Sequence, residues 1–234
     1  MGHTGHAGTA RAREVQIPSG GAVLEGELSV PAGATGVALF AHGSGSSRHS
    51  PRNQFVARTI RGAGVGTLLF DLLTREEEAV DLHTRHLRFD IGLLARRLAD
   101  ATNWIKREAD LWHLRVGYFG ASTGGGAALV AAAELGEDVG AVVSRGGRPD
   151  LAGAEALQRV KSPTLLIVGG RDEPVIEMNE EAYEWLRCKK ELKIVPGATH
   201  LFEEPGALEE VARLAAEWFE KHLRPAPGAA GGRE

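Results

Sequence analysis

The chain has 234 residues and a formal net charge of −4 (Lys+Arg 27 against Asp+Glu 31), which suits one domain with a sizeable core and excludes the positive field that would draw it onto nucleic acid or anionic lipid. Glycine contributes 31 residues, about 13% of the chain against a usual ~7%, so the composition admits collagen, disorder or a fold rich in tight turns. No Gly-X-Y period occurs, and the 43% hydrophobic share against 25% charged excludes wholesale disorder, leaving tight turns.

Met1 to Ala12 and Pro225 to Glu234 are low in complexity and read as flexible tails around one domain spanning 13–224. The domain opens with two paired edge strands, Glu14 to Ile17 and Ala22 to Val30, with Gly20 and Gly21 between them. Six short apolar runs follow, the pattern of strands buried on both faces of a parallel sheet: Val37 to Ala41, Val65 to Phe70, Leu114 to Phe119, Val139 to Ser144, Thr164 to Val168 and Leu192 to Val195. Helical periods lie between most of them, over Gln54 to Arg61, Phe89 to Glu108, Ser122 to Leu135 and Val175 to Arg187, and Leu208 to Leu223 closes the domain with one apolar stripe. The expected fold is α/β: a doubly wound, mostly parallel sheet of eight strands with helices on both faces and no cap domain. Arg75 to Asp90, after the fourth strand, is expected to arch over the sheet as a solvated cap. His83 and His86 within it lack a third ligand at defined spacing, and no metal or cofactor is expected.

The single cysteine, Cys188, is expected in an amphipathic helix. It excludes an intrachain disulfide, and MGHTGHAGTARARE lacks the apolar core of a signal peptide, so a reducing cytoplasm is the expected setting. The longest apolar runs fall short of the ~18 residues of a membrane helix. Trp104, Trp112, Trp185 and Trp218 are expected to pack rather than to stack on a ligand.

In such sheets ligands bind beyond the carboxyl ends of the strands. There, Gly120-Ala121-Ser122-Thr123-Gly124 is G-x-S-x-G between a strand and a helix, the setting that exposes a serine hydroxyl on a sharp turn. The plainer alternative is that Ser122 is an ordinary helix N-cap. A serine nucleophile needs a base, and the base needs a third group to fix its tautomer. Gly169-Gly170-Arg171-Asp172 and Gly197-Ala198-Thr199-His200 supply both at the next strand ends, in the order Ser, Asp, His. Asp150 is the alternative acid. Two backbone amides, of Ser44 in His42-Gly43-Ser44-Gly45-Ser46 and of Thr123, are the expected oxyanion donors. The glycine loop after the third strand lacks the Gly-Lys-Ser/Thr of a phosphate-binding loop.

With HGSGS, GASTG, GGRD and GATH in these places, the chain resembles the α/β-hydrolase superfamily, and within it the small, lidless esterases similar to dienelactone hydrolase. The family typically carries cysteine as nucleophile, whereas here the position holds Ser122. The resemblance implies a monomeric or homodimeric serine hydrolase of small ester or lactone substrates. Amide or C–C bond hydrolysis on the same triad, or a non-catalytic binding module of the same fold, are the alternatives. His42, Leu72, Val175 and Leu201 are expected to line the substrate site. Among the strand-end arginines Arg48, Arg75, Arg145, Arg148 and Arg171, we expect Arg145 and Arg148 to hold an anionic substrate group, with local pairing to acids such as Asp150 as the alternative.

Overall fold

The computed structural model describes residues 12–224; residues 1–11 and 225–234, to which the tail readings apply, lie outside it. The first hairpin joins β1 (Arg13–Ser19) to β2 (Ala22–Ser29) with Ser19 opposite Ala22. Its two-residue turn places Gly20 and Gly21 at φ of 54° and 85°, a double left-handed turn that matches strand twist and favours glycine.

The remaining strands are β3 (Gly36–Ala41), β4 (Gly66–Phe70), β5 (Arg115–Ala121), β6 (Val139–Arg145), β7 (Thr164–Gly169) and β8 (Lys190–Val195). They form one sheet in the order β1-β2-β4-β3-β5-β6-β7-β8, antiparallel as far as β2–β4 and parallel from β4 onward. Every residue of β3 and β4 is buried, as continuous apolar runs require.

Alternate residues of the strands face two apolar layers. Phe40, Leu69, Phe119 and Ile167 pack with α1 (Pro51–Gly62) and α7 (Ala207–His222) through Val56, Ile60, Val211 and Phe219. Leu39, Leu68, Tyr118 and Leu166 pack on the opposite side with α3 (Ile91–Arg107), α4 (Thr123–Leu135), α5 (Gly153–Arg159) and α6 (Glu173–Trp185). No helix among the described residues is long and apolar enough to cross a membrane.

The expectations for Cys188 and Trp112 are corrected, while the segment expected as a solvated cap is largely exposed, as read. The segment after β4 contains a helix, α2 (Arg75–Thr84), started by a capping box in which Thr74 and Glu77 satisfy each other's backbone amides. Its Asp81 is buried and accepts hydrogen bonds from the Leu87 and Arg88 amides at 2.7 and 3.2 Å while pairing with the Arg88 guanidinium. A buried carboxylate therefore folds this segment in place of an apolar stripe. Cys188 lies beyond α6, which ends at Trp185, and burial pushes its thiol pKa up. Trp218 packs and donates to the Pro163 carbonyl at 3.2 Å, but Trp112 is 66% exposed.

The last turn of α7 carries a half-buried titratable group. Burial, with Lys189 and Lys221 adding repulsion, lowers the His222 pKa to about 4, which outweighs the favour a helix C-terminus ordinarily extends to a cation. The unfolded chain then binds the proton more readily than the native one, so this residue's contribution is present above about pH 6.5 and is lost as the pH falls from there toward about 4. We expect His222→Gln to flatten the fall of Tm between pH 7 and pH 4.5 in a calorimetric series; an unchanged slope would contradict this assignment.

Candidate active site

Between β5 and α4 the chain reverses at Ser122, whose φ of 51° and ψ of −122° lie where few non-glycine residues are found. Such a conformation costs on the order of 1–3 kcal/mol and persists only where its surroundings over-determine it. They do so here. The Ser122 amide donates to the Arg145 carbonyl at 3.3 Å, and the Ser122 carbonyl accepts from the Gly125 and Arg148 amides at 2.9 and 3.0 Å. Close approach completes the elbow, since a Cβ on Gly124 would lie 2.1 Å from the Ala41 carbonyl oxygen, bringing the β3 loop against the first turn of α4. Ser122 occupies the N-cap position, yet its side chain makes no capping hydrogen bond. The hydroxyl is not spent on starting the helix.

Asp172 repeats the pattern. It stands at the N-cap of α6, ahead of Pro174, and does not cap with its side chain. Instead its Oδ2 lies 2.6 Å from His200 Nδ1. The loop carrying His200 sits on the end of β7 because residue 169 has no side chain: a Cβ there would lie 2.5 and 2.6 Å from the Ala198 and Thr199 carbonyl oxygens. The same loop is tied by the Thr199 amide donating to Glu204 at 3.1 Å and the Arg171 amide to Ala198 at 2.9 Å. A carboxylate at Nδ1 fixes the proton there and leaves Nε2 as the basic nitrogen. The His200 ring lies against Gly146, at 3.5 Å from where a Cβ would stand, and Gly146 follows the Arg145 carbonyl that holds the Ser122 amide. Asp150, the alternative acid, is taken by Arg148 in a bidentate pair at 2.8 and 2.7 Å.

The two expected oxyanion donors are joined by a side chain. The Ser44 amide donates to Thr123 Oγ1 at 3.0 Å, and Ser44 Oγ lies 3.0 Å from the same oxygen. An oxygen acceptor thus already sits on the Ser44 amide. Neither the Ser44–Thr123 hydroxyl link nor the Asp81 anchor was read from the sequence. For the second, Thr74-x-x-Glu77 was the available signal.

His42 lines the same cavity as Leu72, but offers no ring nitrogen to a ligand. Its Nε2 accepts from the Leu72 amide at 3.0 Å and its Nδ1 donates to the Gly43 carbonyl at 3.0 Å, so both nitrogens hold backbone. Burial pushes its pKa down, against the Gly43 carbonyl, and the neutral ring clasps the β3 and β4 loops together. Beside it lies a narrow cavity of about 30 Å³ lined by Ser44, Leu72, Leu73, Glu78, Arg88 and Thr123, enough for a small group only. Leu72 is therefore at the site, whereas Val175 is buried at the start of α6 away from this cavity and Leu201 stands exposed beside His200.

The arginines divide. Arg148 is committed to Asp150, Arg48 pairs with Asp71 and with Glu25, and Arg75 reaches Glu25 at 3.1 Å. Arg145 alone of the two expected anion-holders has no acidic partner among the described residues. His83 and His86 bond to Ala79 and Thr84, and no group of three or more metal-ligating side chains occurs among the described residues.

This strand order, with a serine elbow after β5 and an Asp–His pair after β7 and β8, is the architecture of an α/β-hydrolase. Residues 42–224 match the dienelactone hydrolase family, and the chain belongs to that family. A crystal structure of dienelactone hydrolase from Anabaena variabilis superposes with a TM-score of 0.91 at 64% identity, covering 92% of this chain and 100% of that one. The esterase Est1E from Butyrivibrio proteoclasticus shares the fold at a TM-score of 0.75 and 16% identity, over 90% and 98% of the two chains. Two Mycobacterium tuberculosis proteins provisionally named phosphoribosyl transferase are 58% identical over 221 residues, which is 94% of this chain but 48% of theirs. The chain therefore spans about half the length of these curated relatives.

The close seat of the His200 loop on β7 is testable. Gly169→Ala must push the Ala198 and Thr199 carbonyls outward and His200 with them. Displacement of a reacting group by ~1 Å costs on the order of a hundredfold. We expect about that loss in kcat on any ester that the wild type turns over, with the far-UV circular dichroism spectrum kept; wild-type kcat in a folded Gly169→Ala would contradict the account.

Proposed function

We propose that this hydrolase cleaves carboxylic esters or lactones through an acyl-enzyme on Ser122, His200 and Asp172. The observation that carries the reading is the 2.6 Å contact of His200 Nδ1 with an Asp172 side chain that declines to cap its own helix. Ser122 Oγ attacks the carbonyl carbon while its proton passes to His200 Nε2, and Asp172 stabilises the resulting imidazolium. The oxyanion of the tetrahedral intermediate takes the Ser44 amide from Thr123 Oγ1 and receives the Thr123 amide as second donor. Collapse breaks the ester C–O bond and the proton on His200 leaves with the alcohol. Water then repeats the sequence, releasing the acid and restoring the serine.

The narrow cavity at Leu72 and Leu73 favours short acyl groups. The transferase name of the longer relatives belongs, on this reading, to the portion that this chain does not span, since residues 42–224 match a hydrolase family and the chain covers 48% of those relatives. A panel of short- and long-chain acyl esters with matching amides separates ester from amide hydrolysis.

Ser122→Ala is expected to abolish labelling by a fluorophosphonate probe and hydrolysis of p-nitrophenyl acetate. Asp172→Asn should lower kcat by about 10⁴-fold through the wrong tautomer of His200. Persistence of both labelling and turnover in Ser122→Ala would sink the proposal.

A further inference from the structure

Arg145 ends β6 on the face covered by α1 and α7, where Ala141 and Val143 precede it at alternate positions in the apolar layer. It is 6% exposed. Its hydrogen-bonding is thin: NH2 donates to Asn53 Oδ1 at 3.4 Å, and Nε has no partner. Its guanidinium lies over the Phe202 ring at 5.7 Å, and no carboxylate lies within ion-pair distance of it among the described residues. Burying an uncompensated cation is costly, and proteins ordinarily pair such a group. No opposite charge offsets it among the described residues. Arg52, one residue before Asn53 in the first turn of α1, repels it, and burial lowers the Arg145 pKa to about 10. Arg52 also carries a buried Nε with no partner, while its NH1 reaches Glu203 at 3.3 Å on the exposed side.

The same two short stretches bracket both arginines: Arg145 reaches Asn53 and lies over Phe202, while Arg52 precedes Asn53 and reaches Glu203, the neighbour of Phe202, and each arginine keeps an unused Nε donor. We propose that Arg145 and Arg52 form a binding site for a small oxyanion, a carboxylate or a phosphate, at the catalytic edge of the sheet. The planar donor sets of two arginines suit the oxygens of such a group. The site lies under the His200 loop, because Phe202, stacked on Arg145, is two residues from His200 and Gly146 touches the His200 ring. Whether the anion is part of the substrate rests on the ester-hydrolase reading above; the binding site itself does not.

Thermal shift against inorganic phosphate, with chloride at matched ionic strength as reference, reads the site directly. The wild type is expected to gain Tm with phosphate beyond chloride, and Arg145→Met and Arg52→Gln are each expected to weaken that affinity about tenfold or more, the scale of one charge-assisted hydrogen bond. The two sources of the anion are then told apart by kcat/KM for p-nitrophenyl acetate and for the mono-p-nitrophenyl ester of succinate. A selective loss on the succinate ester in both variants assigns the site to the substrate's own carboxylate. An unchanged ratio together with lost phosphate binding assigns it to a free oxyanion. Either upholds the site. A wild type that responds to phosphate no more than to chloride, or variants that bind phosphate as the wild type does, would overturn it. Arg52→Gln, at a half-exposed side chain, carries the test if Arg145→Met does not fold. Fluorophosphonate labelling of Ser122 in the same samples reports separately on the ester-hydrolase reading.

Discussion

The backbone at Ser122 is held at φ 51° against its own preference, and the rest of the catalytic edge is arranged to keep it there. Two backbone hydrogen bonds tie that residue to the end of β6 and to the loop after it, so the elbow cannot relax without moving Arg145, Gly146 and Arg148. His200 leans on Gly146, and the β3 loop leans on Gly124. Strain at one residue thus sets the mutual position of Ser122, His200 and the β3 loop, through contacts between neighbouring strand ends of a parallel sheet.

Much of this was legible in the sequence because strands buried on both faces announce themselves as apolar runs. Placing six such runs fixes which loops share one edge, and the motif loops after β3, β5, β7 and β8 fall there without any knowledge of packing. What escaped was carried by other signals. Helix α2 buries only Asp81 among its residues, so no apolar period betrays it. Helix α1 begins at Pro51 rather than Gln54 because Ser50 caps it and proline fits the first turn, cues that apolar spacing ignores. Strand β8 starts two residues early, at Lys190, since an edge strand need not be apolar on both sides.

At the site itself the sequence offered residue types and not their commitments. Arg145 and Arg148 look alike in the chain, but Asp150 lies two residues from Arg148 and neutralises it, whereas strand alternation turns Arg145 inward beside Ala141 and Val143. His42 looked like a ligand-facing histidine and is a clasp for two loops. Thr123 looked like a source of one amide and also places its hydroxyl on the Ser44 amide. The choices at His42 and Thr123 are decided by neighbours distant in sequence, Leu72 and Ser44. They leave an asymmetric edge: the cleft beside the β3 loop is walled by Glu78 and by two paired acids, Asp71 to Arg48 and Asp81 to Arg88, while the side beneath His200 holds Arg145, a cation with no acidic partner among the described residues.

The central claim is that Ser122 forms the covalent intermediate. Rapid quenching of the enzyme with p-nitrophenyl acetate, followed by peptide mass spectrometry, tests it most directly. The account predicts a mass gain of one acetyl group on the peptide containing Ser122, accumulating before steady-state turnover. Acetylation confined to Cys188, or steady hydrolysis with no acyl group on Ser122, would contradict it.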